Sequence, residues 1–349
     1  MRDFERILIV KLSSIGDVVH ALPVLKTLRK NYPGAYIAWV VESKAREILE
    51  GNKDLDEIIV VSTGKWRKKL NLSTINEIIS RIKVLRNKRF DLAIDIQGLV
   101  KSGVIAYLSG ARVRIGFNRS DAREPLNRLF MTTNPPPIGK DIHVIDKNLS
   151  LLRSLGLNSF RKEFTIQTSP ADERYIDDFI RSRNIDPENG LIAVNPGIGF
   201  KTKGWGGKNY AELSNRIMDE LNKKVMLTWG PGEEGLVSDI SNMMHHKPVT
   251  PPLTTLKQAT ALLRRCEMFI GSDTGPLHIA AAIDIPTVAI FGPTDPIRNG
   301  PYGDNHAVIH KNLSCSGCYK RRCRTMECMK GITVEEVYRA VKEKIGDKI

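Results

Sequence analysis

Short runs of apolar residues alternate along the chain with longer segments in which apolar residues recur at every third or fourth position. The first run covers residues 7–10, and the turn formers Ser13, Ser14 and Gly16 follow it. Uninterrupted apolar runs of this length are typical of strands buried on both faces, while the longer periodic segments are typical of helices. The alternation therefore predicts an α/β protein whose parallel strands are covered by helices.

Two sets of these elements follow one another. Strands are expected at residues 7–10, 35–41, 58–61, 91–95, 112–116, 191–195, 224–228, 268–271 and 287–291. Helices are expected to open near residues 17, 43, 97, 233 and 274 and to cover about residues 73–85, 144–155, 170–183, 210–221 and 334–345. We therefore expect two Rossmann-like domains, residues 1–165 and 166–349, that face each other across a cleft. The last helix is a candidate to pack back on the first domain.

The charge is strongly basic. The 349 residues include 53 Lys and Arg against 39 Asp and Glu, a formal net charge of +14. Between residues 61 and 90, nine basic side chains accompany one acidic side chain, Glu77. Such an excess favours an acidic partner: nucleic acid, an anionic membrane surface or a phosphorylated substrate. Since the chain has no zinc-finger spacing and no aromatic residues interleaved with the basic ones, nucleic acid is the weakest of the three.

Neither a membrane span nor a signal peptide is expected. No apolar run approaches the roughly 18 residues that a spanning helix needs. The first apolar run is broken at Lys11, which leaves it too short for a signal peptide. These features favour a cytoplasmic protein.

Asp17 follows the first strand in a turn and opens a helical pattern. In a doubly wound sheet this turn lies at the carboxyl edge, where ligands bind. A carboxylate there can take a proton from an acceptor hydroxyl and act as a general base. A simpler interpretation stays open, because an acidic side chain at a helix start also satisfies backbone N–H groups and the helix dipole.

A second candidate turn covers residues 271–278, Gly-Ser-Asp-Thr-Gly-Pro-Leu-His. It follows a strand and opens a helix, with Gly275 allowing close approach to the backbone and Pro276 suited to the first turn. Free N–H groups at a helix start bind anions, so the turn suits a diphosphate. His278 is placed to donate to a phosphate oxygen. Because a carboxylate repels phosphate, Asp273 is expected either to cap the helix or to hold a sugar hydroxyl.

Two further loops follow strands of the second set. Lys201 and Lys203 lie on a glycine-bearing loop, where an ammonium can neutralise a leaving phosphate. Glu233 and Glu234 follow a Gly-Pro-Gly turn and either bind ribose hydroxyls or satisfy the helix dipole. No Gly-x-Gly-x-x-Gly follows the first strand and no Gly-x-x-x-x-Gly-Lys-Ser/Thr occurs, which argues against a standard NAD or FAD fingerprint and against a P-loop ATPase.

Four of the five cysteines are bunched near the end of the chain: Cys315, Cys318, Cys323 and Cys328. A Cys-x-x-Cys pair followed by two more cysteines is a candidate structural site for zinc or an iron–sulfur cluster. The spacings match no common zinc module, and disulfides are disfavoured in a cytoplasmic protein. The fifth, Cys266, has apolar neighbours and is expected in the core.

Five motifs are spread in order over most of the chain. They are Val-Lys-Leu-Ser-Ser-Ile-Gly-Asp-Val-Val-His at residues 10–20, Ile-Asp-Ile-Gln-Gly-Leu-Val-Lys-Ser at 94–102, Ala-Arg-Glu-Pro-Leu at 122–126, Ser-Asp-Thr-Gly at 272–275 and Phe-Gly-Pro-Thr-Asp-Pro at 291–296. Together they resemble the ADP-heptose glycosyltransferase family of GT-B fold.

The resemblance implies roles for individual residues. Asp17 would be the catalytic base, and Lys203 would contact the donor phosphates. The donor site would be completed by Asp273, Thr274, Gly275, His278, Glu233, Ser13 and Gly16. The acidic groups of the acceptor would be held by basic side chains of the first half: Lys65, Arg67, Lys101, Arg119 and Arg123.

The implied reaction is an inverting transfer of heptose from ADP-heptose to the Kdo inner core of lipid A, with no cofactor and no catalytic metal. Its partners would be ADP-heptose, Kdo-lipid A and the anionic cytoplasmic face of the inner membrane, on which the protein would be peripheral, and not nucleic acid. Two alternatives stay open. One is a GT-B transferase with another nucleotide sugar or acceptor, and the other is a non-catalytic protein that binds lipopolysaccharide or a nucleotide.

Overall fold

The computed structural model describes residues 3–68, 71–139, 141–186 and 189–346. The chain divides into two compact units, Met1–Gln167 and Thr168–Ile349. Each unit contains one five-stranded sheet in which the paired strands are parallel. Among the described helices, none combines the length and the apolar character that crossing a membrane requires.

The first unit alternates strands and helices. Its strands are β1 (Arg6–Val10), β2 (Tyr36–Glu42), β3 (Glu57–Val61), β4 (Leu92–Asp95) and β5 (Val113–Gly116). Its α-helices are α1 (Ile15–Val19), α2 (Leu22–Asn31), α3 (Thr63–Lys68), α4 (Leu72–Asn87), α5 (Val100–Leu108) and α6 (Val144–Ser150), and short 3-10 helices cover Ser43–Ile48, Pro125–Phe130 and Leu151–Leu155.

The second unit repeats the plan. Its strands are β6 (Leu191–Asn195), β7 (Lys224–Leu227), β8 (Met268–Ser272), β9 (Thr287–Phe291) and β10 (His306–His310). Its α-helices are α7 (Pro170–Ser182), α8 (Gly207–Leu221), α9 (Glu234–Met243), α10 (Leu256–Leu263), α11 (Gly275–Ala282), α12 (Pro296–Asn299), α13 (Glu327–Lys330) and α14 (Val334–Gly346), with a 3-10 turn at Lys201–Lys203.

The strand orders place one ligand-binding position in each sheet. The first sheet runs β3-β2-β1-β4-β5, so the chain leaves β1 on one side and returns on its other side at β4. The second sheet runs β10-β9-β8-β6-β7, with the same reversal between β6 and β8. Ligands of doubly wound sheets bind outside the carboxyl ends of the strands at such a reversal. The loops after β1 and β4, and those after β6 and β8, therefore mark the two candidate positions.

The first helix begins earlier and ends sooner than the sequence predicts. It starts at Ile15, with Ser14 as its N-cap, rather than at Asp17. It stops at Val19, and α2 begins separately with Pro23 in its first turn. Proline has no N–H and is tolerated in the first turn of a helix but not in its interior, so the single predicted helix divides there.

The described part of the last helix packs within the second unit. Helix α14 contacts α8, β9 and β10, all of them in the second unit. Its apolar side chains Val337, Tyr338 and Val341 lie in the same buried cluster as Ile290 of β9. These side chains thus form part of the core of the second unit.

Candidate active site

Asp17 is the third residue of α1, at the carboxyl end of β1. Its Oδ2 accepts hydrogen bonds from the backbone N and the Oγ of Ser14, at 3.0 and 2.8 Å. Its Oδ1 lies 3.5 Å from Nζ of Lys11, and 34% of the side chain is exposed. One oxygen therefore closes a helix cap, as the simpler interpretation expected, while the carboxylate still reaches solvent.

The environment of Asp17 keeps it ionised. Burial favours the neutral acid and raises the pKa, but the Lys11 ammonium, the hydrogen bonds from Ser14 and the nearby His20 oppose this effect. Together they hold the pKa of Asp17 well below its usual range. The carboxylate is thus in the form that a general base requires at neutral pH.

Lys11 is a candidate site residue to which the sequence alone assigns no role beyond its place in the first motif and at the end of the first apolar run. Its side chain is 4% exposed, and its Nζ donates to the carbonyl of Ile96 at 3.0 Å as well as facing Asp17. A buried ammonium is costly unless it is paired. A lysine between a buried strand and a turn that carries an acid is the sequence signal that could have found it.

Two side chains at the end of β4 hold the backbone of the Asp17 turn, one directly and one through the other. Gln97 Oε1 accepts from the backbone N of Leu12 at 3.0 Å and of Ser13 at 3.2 Å. The fully buried Asp95 accepts in turn from the Gln97 N at 2.9 Å and from Asn127 Nδ2 at 2.6 Å. Burial raises the pKa of Asp95, although these donors oppose the shift.

The second and third motifs pack against each other. The Glu124 N donates to the carbonyl of Gly98 at 2.9 Å, and the Val100 N donates to Glu124 Oε2 at 2.6 Å. Gly98 has a φ of +69°, and a Cβ there would lie 3.3 Å from the backbone N of Arg123. The two segments therefore form one surface beside the Asp17 turn.

The structure describes the side chains of three of the five predicted acceptor-binding cations. Arg119 and Arg123 are exposed between β5 and the 3-10 helix that follows. Lys101, in the first turn of α5, has its Nζ 3.0 Å from Thr63 Oγ1. Lys65 and Arg67 belong to α3, but their side chains lie outside the described part of the structure.

In the second unit, three predicted donor-site residues meet. The Lys203 Nζ lies 2.7 Å from both the carbonyl oxygen and Oδ2 of Asp273, and His278 Nε2 lies 2.9 Å from Oδ1. All three side chains are largely buried, with Asp273 only 9% exposed. Burial raises the pKa of Asp273, but His278 and Lys203 outweigh it and hold the pKa well below its usual range.

Asp273 binds the side chains of Lys203 and His278, and it does not cap the helix, which was one of the two expected roles. The N-cap of α11 is Thr274, which makes no side-chain capping bond. The Thr274 side chain therefore does not occupy the N–H groups of Gly275 and Leu277 in this first turn, while Pro276 has no N–H; an anion site at a helix start uses such uncapped N–H groups. Asp273 fixes the ammonium of Lys203 at this helix start.

The other predicted donor residues do not belong to the cluster of Lys203, Asp273 and His278. Glu233 Oε2 accepts from the Gly230 N at 2.8 Å, and its carboxylate packs so closely on Gly197 that a Cβ there would lie 2.4 Å from Oε2. It thus lies beside the loop after β6, which also carries Lys203. Ser13 and Gly16 belong to the Asp17 turn of the first unit.

The cysteine-bearing segment, residues 311–331, packs on the loop after β6 and on the loop after β9. The Tyr319 N donates to the carbonyl of Pro293 at 2.8 Å, and Thr202 Oγ1 donates to that of Lys320 at 2.6 Å. Burial, followed by the charges of the other three thiols of the cluster, raises the pKa of Cys328. Cys266 is buried as expected, and burial raises its pKa to about 12.

The cysteines do not form a compact ligand set. Within the described ranges, three potential metal ligands converge to 4.8 Å or less at Asp219, His245 and His246, and not at the cysteines. The four thiols of the cluster are free. Their arrangement supplies the soft donors that zinc or iron prefers, but not the spacing of a formed site.

Comparison with known proteins decides the family. The profile of glycosyltransferase family 9 (heptosyltransferase) matches residues 78–329. The chain belongs to glycosyltransferase family 9. This enzyme is 32% identical over 323 residues to lipopolysaccharide heptosyltransferase 1 of Pseudomonas aeruginosa, covering 91% of this chain and 87% of that protein.

Solved structures confirm the GT-B fold of this family 9 glycosyltransferase. The Escherichia coli heptosyltransferase WaaC with ADP is 27% identical, with a TM-score of 0.77 and coverage of 97% of this chain and 99% of that one. A family 9 glycosyltransferase from Veillonella parvula has a TM-score of 0.85 at 24% identity, over 99% of both chains.

Proposed function

We propose that this glycosyltransferase moves heptose from ADP-heptose to the Kdo inner core of lipid A in lipopolysaccharide biosynthesis, as a heptosyltransferase I. The observation that carries the proposal is the ionised, partly exposed Asp17 at the reversal point of the first sheet. Two relatives named lipopolysaccharide heptosyltransferase 1, at 32% and 30% identity, support an acceptor in lipopolysaccharide biosynthesis. A 28% identical structure, described as WaaC with ADP-2-deoxy-2-fluoro heptose, supports the donor.

In the acceptor half of the reaction, Asp17 takes the proton from the attacking hydroxyl. A carboxylate of low pKa is a weak base toward a free sugar hydroxyl, so proton transfer occurs as that oxygen attacks and its acidity rises. Attack from the face opposite the leaving group inverts the anomeric carbon. The exposed Lys101, Arg119 and Arg123 would hold the acidic groups of the acceptor.

In the donor half, the α11 helix start and Lys203 bind the diphosphate and stabilise the ADP that leaves. The Lys203 ammonium is already held 2.7 Å from Asp273, so little side-chain freedom is lost when phosphate arrives. Backbone N–H groups and an ammonium can stabilise the developing charge without a metal ion. We propose that Glu233, which follows β7 at the carboxyl edge of the second sheet, contacts the ribose.

The basic first half also supports a peripheral location on the cytoplasmic face of the inner membrane. Acidic phospholipids attract clustered Lys and Arg within a Debye length of the surface. Binding to vesicles with and without anionic lipid, at low and at high salt, tests this part of the proposal. Binding that is equal for both vesicles would contradict it.

A structural metal at the cysteine segment is a separate proposal. It is supported by the four thiols and by the contacts that the segment makes with the loops that hold Thr202 and Pro293. Elemental analysis of the purified protein tests it. About one equivalent of zinc or iron supports a site, and a trace amount argues against it.

The reaction itself is tested by product analysis. Purified enzyme with ADP-heptose and Kdo-lipid A should release ADP and extend the acceptor by one heptose. Preferential protection by UDP- or GDP-sugars in a thermal-shift assay would favour a transferase with another donor. Binding of ADP-heptose and acceptor without ADP release would favour a non-catalytic protein.

A further inference from the structure

The first unit contains an apolar cavity of about 400 Å³. Its walls are formed by side chains of α4 and α5, including Ile78, Ile82, Val104 and Leu108, and by Trp66 of α3. The volume falls within the range of roughly 300–1,000 Å³ that small-molecule sites occupy. The space is partly open to the surface, and an apolar surface pocket of this size is typical of a binding site.

The lining of the cavity also contains two cations. Arg81 and Lys101 belong to its lining, and both are exposed. The Lys101 Nζ lies 3.0 Å from Thr63 Oγ1, which also lines the cavity, and 3.5 Å from Glu42 Oε1. An apolar pocket with two cations in its lining matches an amphiphile that has an anionic head and a hydrocarbon tail.

The part of the lining that contains Thr63 and Lys101 lies on the same edge of the sheet as Asp17. Thr63 follows β3, and Lys101 begins α5 after β4, so both sit at carboxyl ends of strands. Glu42, at the carboxyl end of β2, donates its backbone N–H to the carbonyl of Leu12 at 2.9 Å, one residue after Lys11. A ligand with its tail in the cavity therefore has its head on the side of the proposed base.

The surface around the cavity fits a lipid as well. Ile75 and Ile79 of α4 are 42% and 45% exposed, on the helix that also supplies the cavity residues Ile78 and Ile82. The indole N–H of Trp66 is buried and has no hydrogen-bond partner among the described residues. The ester or amide carbonyl at the head of an acyl chain is an acceptor of the kind that this donor lacks.

We propose that the cavity binds one acyl chain of the lipid acceptor, with an acidic group of the head against Arg81 and Lys101. This inference rests on the proposed function and adds to it a site for the lipid part of the substrate. It predicts that affinity depends on the hydrocarbon as well as on the sugar. Each methylene buried in the cavity should strengthen binding about fourfold, until the cavity is full.

The experiment uses a series of Kdo-bearing glucosamine acceptors that differ only in one acyl chain, from none to long. Their dissociation constants are measured by titration calorimetry, and heptose transfer is measured separately. Wild-type affinity should rise with chain length and then level off. Val104→Phe, which fills the cavity, should lose that dependence while transferring heptose normally to the chain-free acceptor. Ile297→Phe is the matched control, because Ile297 is 62% exposed in the second unit.

Each outcome has a defined meaning. Affinity that does not change with chain length overturns the cavity assignment, and so does a dependence that Val104→Phe leaves intact. If Val104→Phe fails to fold, Ile78→Ala replaces it, and this enlarged cavity should shift the plateau to longer chains. Chain-dependent binding without transfer to any acceptor would instead contradict the proposed function and leave the cavity assignment standing.

Discussion

Asp17 Oδ1 lies 3.5 Å from Nζ of Lys11, a lysine whose side chain is 4% exposed. The pair joins the end of β1 to the first turn of α1. It keeps the Asp17 carboxylate ionised and fixes its direction at the reversal point of the sheet. The proposed base and its counter-ion therefore form one pair, in which the lysine lowers the pKa of Asp17.

Lys11→Met should move the acidic limb of the pH profile of kcat/KM to higher pH. The lysine lowers the pKa of Asp17, so without it burial raises that pKa and protonation removes the base at a less acidic pH. The stability that this depressed pKa supplies is fully present above the pKa that Asp17 has in the unfolded chain, and it is lost as the pH falls through the pKa of Asp17 in the folded protein. Lys11→Met should therefore lose less stability than the wild type when the pH is lowered. Lys26→Met, which breaks the more exposed pair with Asp54, is the control. An unmoved limb in Lys11→Met would contradict the coupling.

Asp273→Asn should destabilise the protein by about 3–5 kcal/mol, because the buried Lys203 loses its counter-charge and an amide NH2 replaces one of the two oxygens that face Lys203 and His278. The double variant with Lys203→Met should be less destabilised than the two single changes added together. Urea unfolding of the whole protein, followed by circular dichroism, measures the cycle. Additive losses would show that the pair does not act as a unit.

Gly197→Ala should weaken ADP binding several-fold with little change in melting temperature. The new Cβ would lie 2.4 Å from Oε2 of Glu233, and this flexible carboxylate would swing away from the proposed ribose position. Glu233→Ala should give a similar loss. Gly199→Ala is the matched control, since nothing lies within 4 Å of a Cβ at that position. Equal affinities of Gly197→Ala and Gly199→Ala for ADP would remove Glu233 from the site.

Elements with strong apolar periodicity were predictable from the sequence. The bounds expected for β6 and β9 are confirmed at Leu191–Asn195 and Thr287–Phe291, because both strands are fully buried. Strand β10 was missed because it lies at the sheet edge, where its side chains are half-buried and two of its five residues are His. Helix α10 was also missed.

The sequence predicts which turns carry the candidate site residues, but not which side chains those residues contact. The turns that carry Asp17 and residues 273–278 follow from strand-turn-helix patterns. The pairing of Asp273 with Lys203 joins residues 70 apart in the chain, and no local pattern encodes it. The same holds for Gln97, whose side chain reaches the Leu12 and Ser13 amides from 85 and 84 residues away.

The most direct test of the central claim compares binding and turnover in Asp17→Asn. This change keeps the shape of the side chain and removes its ability to accept a proton. ADP-heptose should bind with near-normal affinity, while the rate of ADP release with Kdo-lipid A should fall about a hundredfold to ten-thousandfold. Glu163→Gln, at an exposed ion pair with Arg161, should leave both values unchanged. An Asp17→Asn enzyme that releases ADP at a near-normal rate would contradict the assignment of Asp17 as the base.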